Sequence, residues 1–415
     1  MKYILIGAGS RGMTYGAWAV SHGIEIAAIA EIRPDRLESA ANTLNVPSEM
    51  CFSSPEPLFA LGKIADAAII ATMDRDHYAH VMQALYCGYD ILLEKPISPD
   101  PKECMAIEET ADKLGQKITV CHVLRYTSFF SKLKEIIDSG ELGKVISIRH
   151  EENIGNFHMA HSFVRGNWRN DSLSSPIILQ KSCHDLDILL WLTGKHCTKV
   201  SAFGSLSYFR KENAPENASD RCLSCPVAKN CRYDAWQAYQ PVLGRWPADV
   251  VCLEQTEEAL QEALQNGPYG RCVFHCDNNV CDHMSIIMEF DEGITATFSL
   301  SAHSSQVHRT IHIMCEDGEI EADGLDGRIT VTPFVRNQAE DMVSRTIYVR
   351  SDESGHGGGD SGIMEDFTRS LSSGCSDSRS SISRSVESHI MAFAIEQSRL
   401  TGKTVDMNQY RHSLI

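Results

Sequence analysis

Two short segments carry side chains suited to moving protons near an alcohol. In Glu94-Lys95-Pro96 a lysine closes an apolar run and a proline breaks the chain directly after it. Burial beside a cation disfavours the charged form of such a lysine, which can then polarise a hydroxyl or exchange a proton with it. In Lys181-Ser182-Cys183-His184-Asp185-Leu186-Asp187 a histidine leads into an apolar helix at Ile188–Leu192. His184 and Asp187 are 3 residues apart, so they share a helical face, and a carboxylate there can fix the tautomer of an imidazole acting as acid or base. The plainer alternatives are a strand-end lysine in water and aspartates that suit the dipole of a first helical turn.

Gly7-Ala8-Gly9-Ser10-Arg11-Gly12 has the spacing G-x-G-x-x-G, directly after a strand at Tyr3–Ile6 and at the opening of a helix. Gly7 permits the tight turn, Gly9 lets a pyrophosphate approach the backbone, and Gly12 lets helix and strand pack closely. The helix start supplies unpaired N–H groups and a positive dipole end. Glu31 closes the second strand, 19 residues after Gly12. A carboxylate there accepts hydrogen bonds from ribose hydroxyls and repels a 2′-phosphate, which favours NAD over NADP, although Arg33 can compensate.

These groups need a scaffold, and the first 123 residues provide its pattern. Tyr3–Ile6, Ile24–Ala30, Asp66–Ala71, Ile91–Glu94 and Ile118–Val123 are short apolar runs, with helical stretches such as Arg36–Leu44, His77–Cys87 and Lys102–Leu114 between them. Apolar strands alternating with helices predict a parallel, doubly wound sheet covered on both faces, a Rossmann domain over 1–123. The ligand crevice of such a sheet lies beyond the carboxyl ends of the strands, where Lys95 stands. Residues 124–415 read as an α+β domain. A helix at Phe130–Ser139 and a strand at Val145–Arg149 come first, followed by turn-bounded strands at Met284–Phe290, Ile294–Ala302 and Arg309–Cys315. These predict an open, mainly antiparallel sheet. Residues 207–282 read as a cysteine-rich insertion, and a Ser/Gly-rich stretch at Ser351–Gly362 precedes a last helix near Ser383–Leu400.

With these residues in view, the chain resembles the Gfo/Idh/MocA family of NAD(P)-dependent sugar and polyol dehydrogenases. The resemblance rests on the glycine loop, on Ala71-Thr72 followed by His77, and on Glu94-Lys95-Pro96. It continues through Arg125-Tyr126, Ser139-Gly140-Glu141-Leu142-Gly143, His184 with Asp187, and His356-Gly357-Gly358-Gly359-Asp360. It implies hydride transfer between a sugar-like alcohol and the nicotinamide. The implied cofactor residues are Gly7, Gly9, Ser10, Arg11, Gly12, Glu31, Ala71, Thr72, His77, Glu94 and Lys95. It casts His184 as acid/base, Asp187 as its neighbour and Lys95 beside the nicotinamide, with Lys181 able to bind or polarise the substrate. Two departures stand out: Gln180 where many members carry an acid four positions before the histidine, and Met73 where a proline commonly follows the threonine. The family also contains redox-assisted glycosidases with tightly held NAD and dinucleotide-binding sensors, so both remain alternatives. His158, His161, Arg165 and Trp168 lie close enough in sequence to His184 to line a pocket.

Cys222, Cys225 and Cys231, with a fourth thiol from Cys272, Cys276 or Cys281, have the makings of a structural zinc or iron–sulfur site, or of free thiols. The formal net charge of −17 argues against nucleic-acid and anionic-membrane partners. With no run of 18 apolar residues and 15 cysteines in odd number, the sequence reads as a cytoplasmic protein in a reducing compartment. An open sheet suggests a homodimer or homotetramer.

Overall fold

The computed structural model describes residues 1–337, 341–350, 355–373 and 378–414. Strands β1 (Lys2–Ile6), β2 (Glu25–Ala30), β3 (Cys51–Phe52), β4 (Ala67–Ile70), β5 (Asp90–Leu93) and β6 (Ile118–Val120) form one parallel sheet. Their order is β3-β2-β1-β4-β5-β6, so the winding reverses between β1 and β4. The strands are nearly continuous Ile, Leu and Ala because helices cover both faces, leaving Ile4, Leu5, Ile69 and Leu92 inaccessible. The reversal opens a crevice beyond the ends of β1 and β4, and the glycine loop starts there.

The second sheet is larger. It comprises β7 (Val145–Asn153), β8 (Cys197–Ser205), β9 (His283–Phe290), β10 (Thr295–Ser301), β11 (His308–Cys315), β12 (Gly318–Asp323), β13 (Arg328–Pro333), β14 (Arg345–Tyr348) and β15 (Val405–Asp406). The order is β14-β13-β12-β11-β7-β10-β9-β8-β15, antiparallel throughout except where β10 runs parallel to β7. In β9 and β10 buried and exposed residues alternate, so one face packs and the other is open. The helices Cys183–Thr193 and Ile382–Thr401 cover the packed face. The first of these helices sets His184, Asp185 and Asp187 at the junction of the two sheets.

Three features depart from the sequence reading, the first being the two-residue edge strand β3, too short to show among the five apolar runs. Within the Ser/Gly-rich stretch a helix begins at Gly359 and runs to Ser373, burying Ile363, Met364 and Phe367 with Tyr3 and Leu5 of the first sheet; positions 351–354 of that stretch lie outside the described residues. The segment 207–282 holds short helices around a small core of its own, built from Cys222, Ala235, Tyr239, Leu260, Leu264 and Tyr269. Among the described residues no helix is long and apolar enough to cross a membrane.

Candidate active site

The glycine loop is shaped by contacts that leave no room for side chains. A Cβ on Gly12 would lie 2.0 Å from the Gly7 carbonyl oxygen, and one on Gly7 would lie 2.6 Å from the carbonyl of Ala71. Gly7 also sits at φ +90°, where a side chain is strained. Gly9 by contrast faces open space, its nearest neighbour being Arg36 Nη1 at 3.8 Å. The helix Ser10–Ser21 begins there without a side-chain cap, so its first N–H groups are available to phosphate oxygens. Glu31, at the end of β2, accepts the Ala8 N–H at 2.7 Å and the Arg33 N–H at 3.0 Å. Each carboxylate oxygen keeps a further lone pair for a ribose hydroxyl. An open cradle, an uncapped helix start and a rim carboxylate are what a dinucleotide requires, so the residues present fit NAD.

Arg11 is committed elsewhere. Its guanidinium donates to Glu94 Oε1 at 2.7 Å and to both oxygens of Asp360 at 2.6 and 3.0 Å, and it also contacts the Tyr15 hydroxyl. Burial opposes ionisation of Asp360, but His356 and Arg11 outweigh it and hold the carboxyl well below its usual range. The Arg11 guanidinium is thus held in this network, with 29% of the side chain still accessible. Thr72 Oγ1 pairs with His80 Nδ1 at 3.0 Å, while His77 lies between the carbonyls of Pro96 (2.7 Å) and Thr72 (3.2 Å). Both residues therefore shape the loops after β4 and β5.

Lys95 follows β5 and its Nζ donates to the main-chain oxygen of Gln180 at 2.7 Å. The Gln180 side chain turns away, accepting from Ser174 and donating to the Trp168 carbonyl. His184 is buried, and burial, followed by Lys95, His122, Arg309 and His356, keeps its imidazole well below the ordinary value and hence uncharged at neutral pH. Its Nδ1 has no hydrogen-bond partner. Asp187 does not supply one, because Arg125 Nε and Nη2 hold its two oxygens at 2.6 and 2.7 Å. The shared helical face was real, but a fully buried carboxylate pairs with the nearest guanidinium before it pairs with a neutral ring. His122 stands between the two, its ring centroid 5.7 Å from that of His184 and its Nε2 3.9 Å from Asp187 Oδ1.

Lys181 Nζ lies 3.2 Å from Glu152 Oε1 on β7. Burial lowers this ammonium and Glu152 offsets part of the effect. Arg309 of β11 bridges Glu152 and Asp185, reaching the latter at 2.7 Å, and His150 Nε2 completes the group at 2.8 Å from Asp185. Sequence reasoning did not find Glu152, Arg309 or His122. Their signal is a charge or imidazole inside an alternating or apolar run, where only contact with a distant partner explains it.

The flanking residues divide. His158 lies within the electrostatic reach of Lys181 and Lys95, and burial followed by Lys181 keeps it uncharged. His161 bonds the Tyr239 hydroxyl at 3.0 Å, and Arg165 is buried on the carbonyls of Arg271 and Tyr233, so both belong to the segment 207–282. Trp168 is exposed, with Nε1 near Asp74 at 3.4 Å. The thiols of Cys222, Cys225, Cys231 and Cys272 surround a cavity of about 10 Å³. Among the described residues no 3 His, Cys, Asp or Glu side chains are grouped to hold a metal ion, which does not support the expected zinc or iron–sulfur site. The sulfurs answer to other partners: Cys222 accepts from Arg165 Nη2 and Cys225 from the Ser219 N–H, and all four are free thiols.

Comparison with known proteins agrees with this fold. Residues 1–122 match the model of an oxidoreductase family with an NAD-binding Rossmann fold, and residues 134–407 match that family's C-terminal alpha/beta domain. The chain belongs to the Gfo/Idh/MocA oxidoreductase family. It is 26% identical over 316 residues to the oxidoreductase YteT of Bacillus subtilis (strain 168), covering 73% of this chain and 72% of that one. It is 29% identical over 184 residues to an inositol 2-dehydrogenase of Corynebacterium glutamicum (strain R), a match spanning 43% of this chain and about half (49%) of that relative. Among solved structures, a levoglucosan dehydrogenase in complex with NADH superposes with a TM-score of 0.72 at 19% identity, covering 98% of this chain and 99% of that one. An NAD binding oxidoreductase from Klebsiella pneumoniae gives 0.72 at 16%, with 98% and 99% covered. The family member described here is thus an NAD-dependent oxidoreductase with a two-sheet fold.

Proposed function

We propose that this enzyme transfers a hydride between NAD and a secondary hydroxyl of a sugar- or polyol-type substrate, at the crevice lined by Lys95, Lys181 and His184. The observation that carries the reading is Lys95, at the end of β5, donating to the carbonyl of Gln180 next to Lys181 and lying within electrostatic reach of the buried His184. The backbone around Gly9 and the start of helix Ser10–Ser21 would hold the diphosphate, and Glu31 the adenosine ribose, which favours NAD over NADP. NAD, when bound, supplies the hydride acceptor. The chain's own residues manage the proton. Lys95, with one oxygen partner, has donors left to bind the reacting oxygen and stabilise its developing negative charge. His184, neutral through burial, is the base able to take the hydroxyl proton.

The experiment is NADH formation from a panel of sugars and polyols, alongside calorimetric NAD binding. Lys95→Ala and His184→Ala should each lose at least about 100-fold in kcat while binding NAD as the parent does, the scale of a lost acid–base group. Unchanged turnover in both variants defeats the reading. Exposed residues on the open sheet face support a homo-oligomer as part of the same proposal.

A further inference from the structure

The crevice presents positive charge although the whole chain is strongly acidic, with a formal net charge of −17. Lys95 and Lys181 approach each other through Gln180. Lys181 and Arg309 keep 15% of their side chains accessible, whereas Glu152, their shared anion, is 0% exposed. Asp185 lies equally deep, with Oδ1 receiving both Arg309 Nε and His150. The carboxylates form the floor and the cations form the wall. His158 and His184, uncharged through burial, add no anion. A neutral polyol brings as many O–H donors as acceptors and needs side-chain acceptors to receive them. Here the nearby carboxylates are engaged: Glu152 in ion pairs with Lys181 and Arg309, Asp185 with Arg309 and His150, and Asp74 with Ser174, Ser175 and Trp168. Lys181 still holds free donors, since an ammonium has three and Glu152 takes one at 3.2 Å.

We infer that the substrate carries a carboxylate beside its reacting hydroxyl, making it a sugar acid of the aldonate or uronate class, and that Lys181 receives that carboxylate. An acceptor-only anion matches a wall whose charged groups, Lys95, Lys181 and Arg309, are all donors, and charge-assisted hydrogen bonds are the strong ones in such a setting. Glu152 and Arg309 act through Lys181 by fixing where its ammonium stands. The inference rests on the dehydrogenase reading above and deepens it.

The test compares matched pairs, D-gluconate with D-glucitol and D-galacturonate with D-galactose, by NADH formation at low and high salt. The acid of at least one pair should exceed its neutral partner by about 10-fold or more in kcat/KM, the scale of one charge-assisted contact, and added salt should narrow the gap. Lys181→Gln should abolish most of that preference through KM, with NAD affinity unchanged, and Lys181→Arg should retain it. If Lys181→Gln fails to fold, the salt dependence of the parent enzyme and the Lys181→Arg result still decide the matter. Neutral partners used as well as the acids, or a preference untouched in folded Lys181→Gln, overturn this inference alone. NADH from no compound, with NAD bound, overturns the dehydrogenase reading and this inference with it.

Discussion

The ring nitrogens around His184 raise a question of pairing. His184 Nδ1 and both nitrogens of His122 are buried without a hydrogen-bond partner, an uncommon concentration of unmet polar atoms. A third histidine, His389, is by contrast satisfied, accepting the Ile97 N–H at 3.0 Å and lying 2.9 Å from the Ser385 carbonyl. His122 supports His184 by packing, its ring edge-on to it at a centroid distance of 5.7 Å, while Asp187 is held by Arg125. His122→Ala removes that ring. It should lower kcat about 10-fold with little change in KM, the scale of a lost supporting contact. Steady-state kinetics with circular dichroism as a folding control will check this. The charge state of His184 gives a second expectation. Burial, then Lys95, displaces its protonation well below 6.5, and a base with a depressed pKa stays unprotonated as pH falls through that value. The kcat/KM profile should be flat across pH 6.5 and fall only at lower pH; an acid limb centred at or above 6.5 would contradict the assignment.

At the level of elements, the start of helix Ser10–Ser21 is clamped from both ends. Gly12→Ala drives a methyl into the Gly7 carbonyl, so helix and strand must part. The variant should lose about 1–3 kcal/mol of stability, as overpacked sites do, and bind NAD more weakly, as thermal melts and calorimetry would show. Arg11 ties this helix to the helix Gly359–Ser373 through Asp360. Because the folded-state pKa of Asp360 is depressed, its contribution is present above its ordinary value of 3.8 and is lost as pH falls through the lower folded value. Asp360→Asn should cost about 2 kcal/mol at pH 7, with the gap to the parent narrowing below pH 3.8 in melts across pH. This helix also marks a limit of sequence reading. A Cβ on Gly359 would lie 2.4 Å from the Val123 carbonyl, and one on Gly362 would lie 2.8 Å from Tyr126 Cβ. Glycines that look like a linker are there for close packing against a segment more than 200 residues away. The glycine loop and every strand of the first sheet but the two-residue β3 were legible because each is a local pattern, and Lys95 and His184 stood out as candidates for the same reason. Glu152, Arg309 and His122 were not, since their meaning lies in partners brought together by the fold.

At the scale of the whole molecule, the open face of the second sheet is the surface that most invites a partner. Cross-strand neighbours share a face, so Ser201, Ile287, Thr297 and Arg149 form one row across β8, β9, β10 and β7, and Phe203, Ser285, Ser299 and Glu151 form the next. Phe203 is 71% and Ile287 60% exposed, large apolar side chains standing out of a mainly polar face. At about 4.8 Å per strand and 3.3 Å per residue, 9 strands with central members of 7 to 9 residues offer roughly 40 by 25 Å. That is about the 800 Å² per partner of a stable interface. A two-fold pairing of this face would cover both side chains at once, because a self-complementary patch repeats every contact. The wild-type chain should therefore run as a dimer or tetramer in light scattering. Ile287→Lys, placing a charge mid-row, should weaken self-association by about 10-fold or more, the effect expected at the centre of a desolvated patch. The charge points away from the crevice side of the sheet, so NAD binding should persist in the dissociated chain. A wild-type protein that is monomeric at all concentrations would remove the face from consideration and leave Phe203 and Ile287 exposed for another reason.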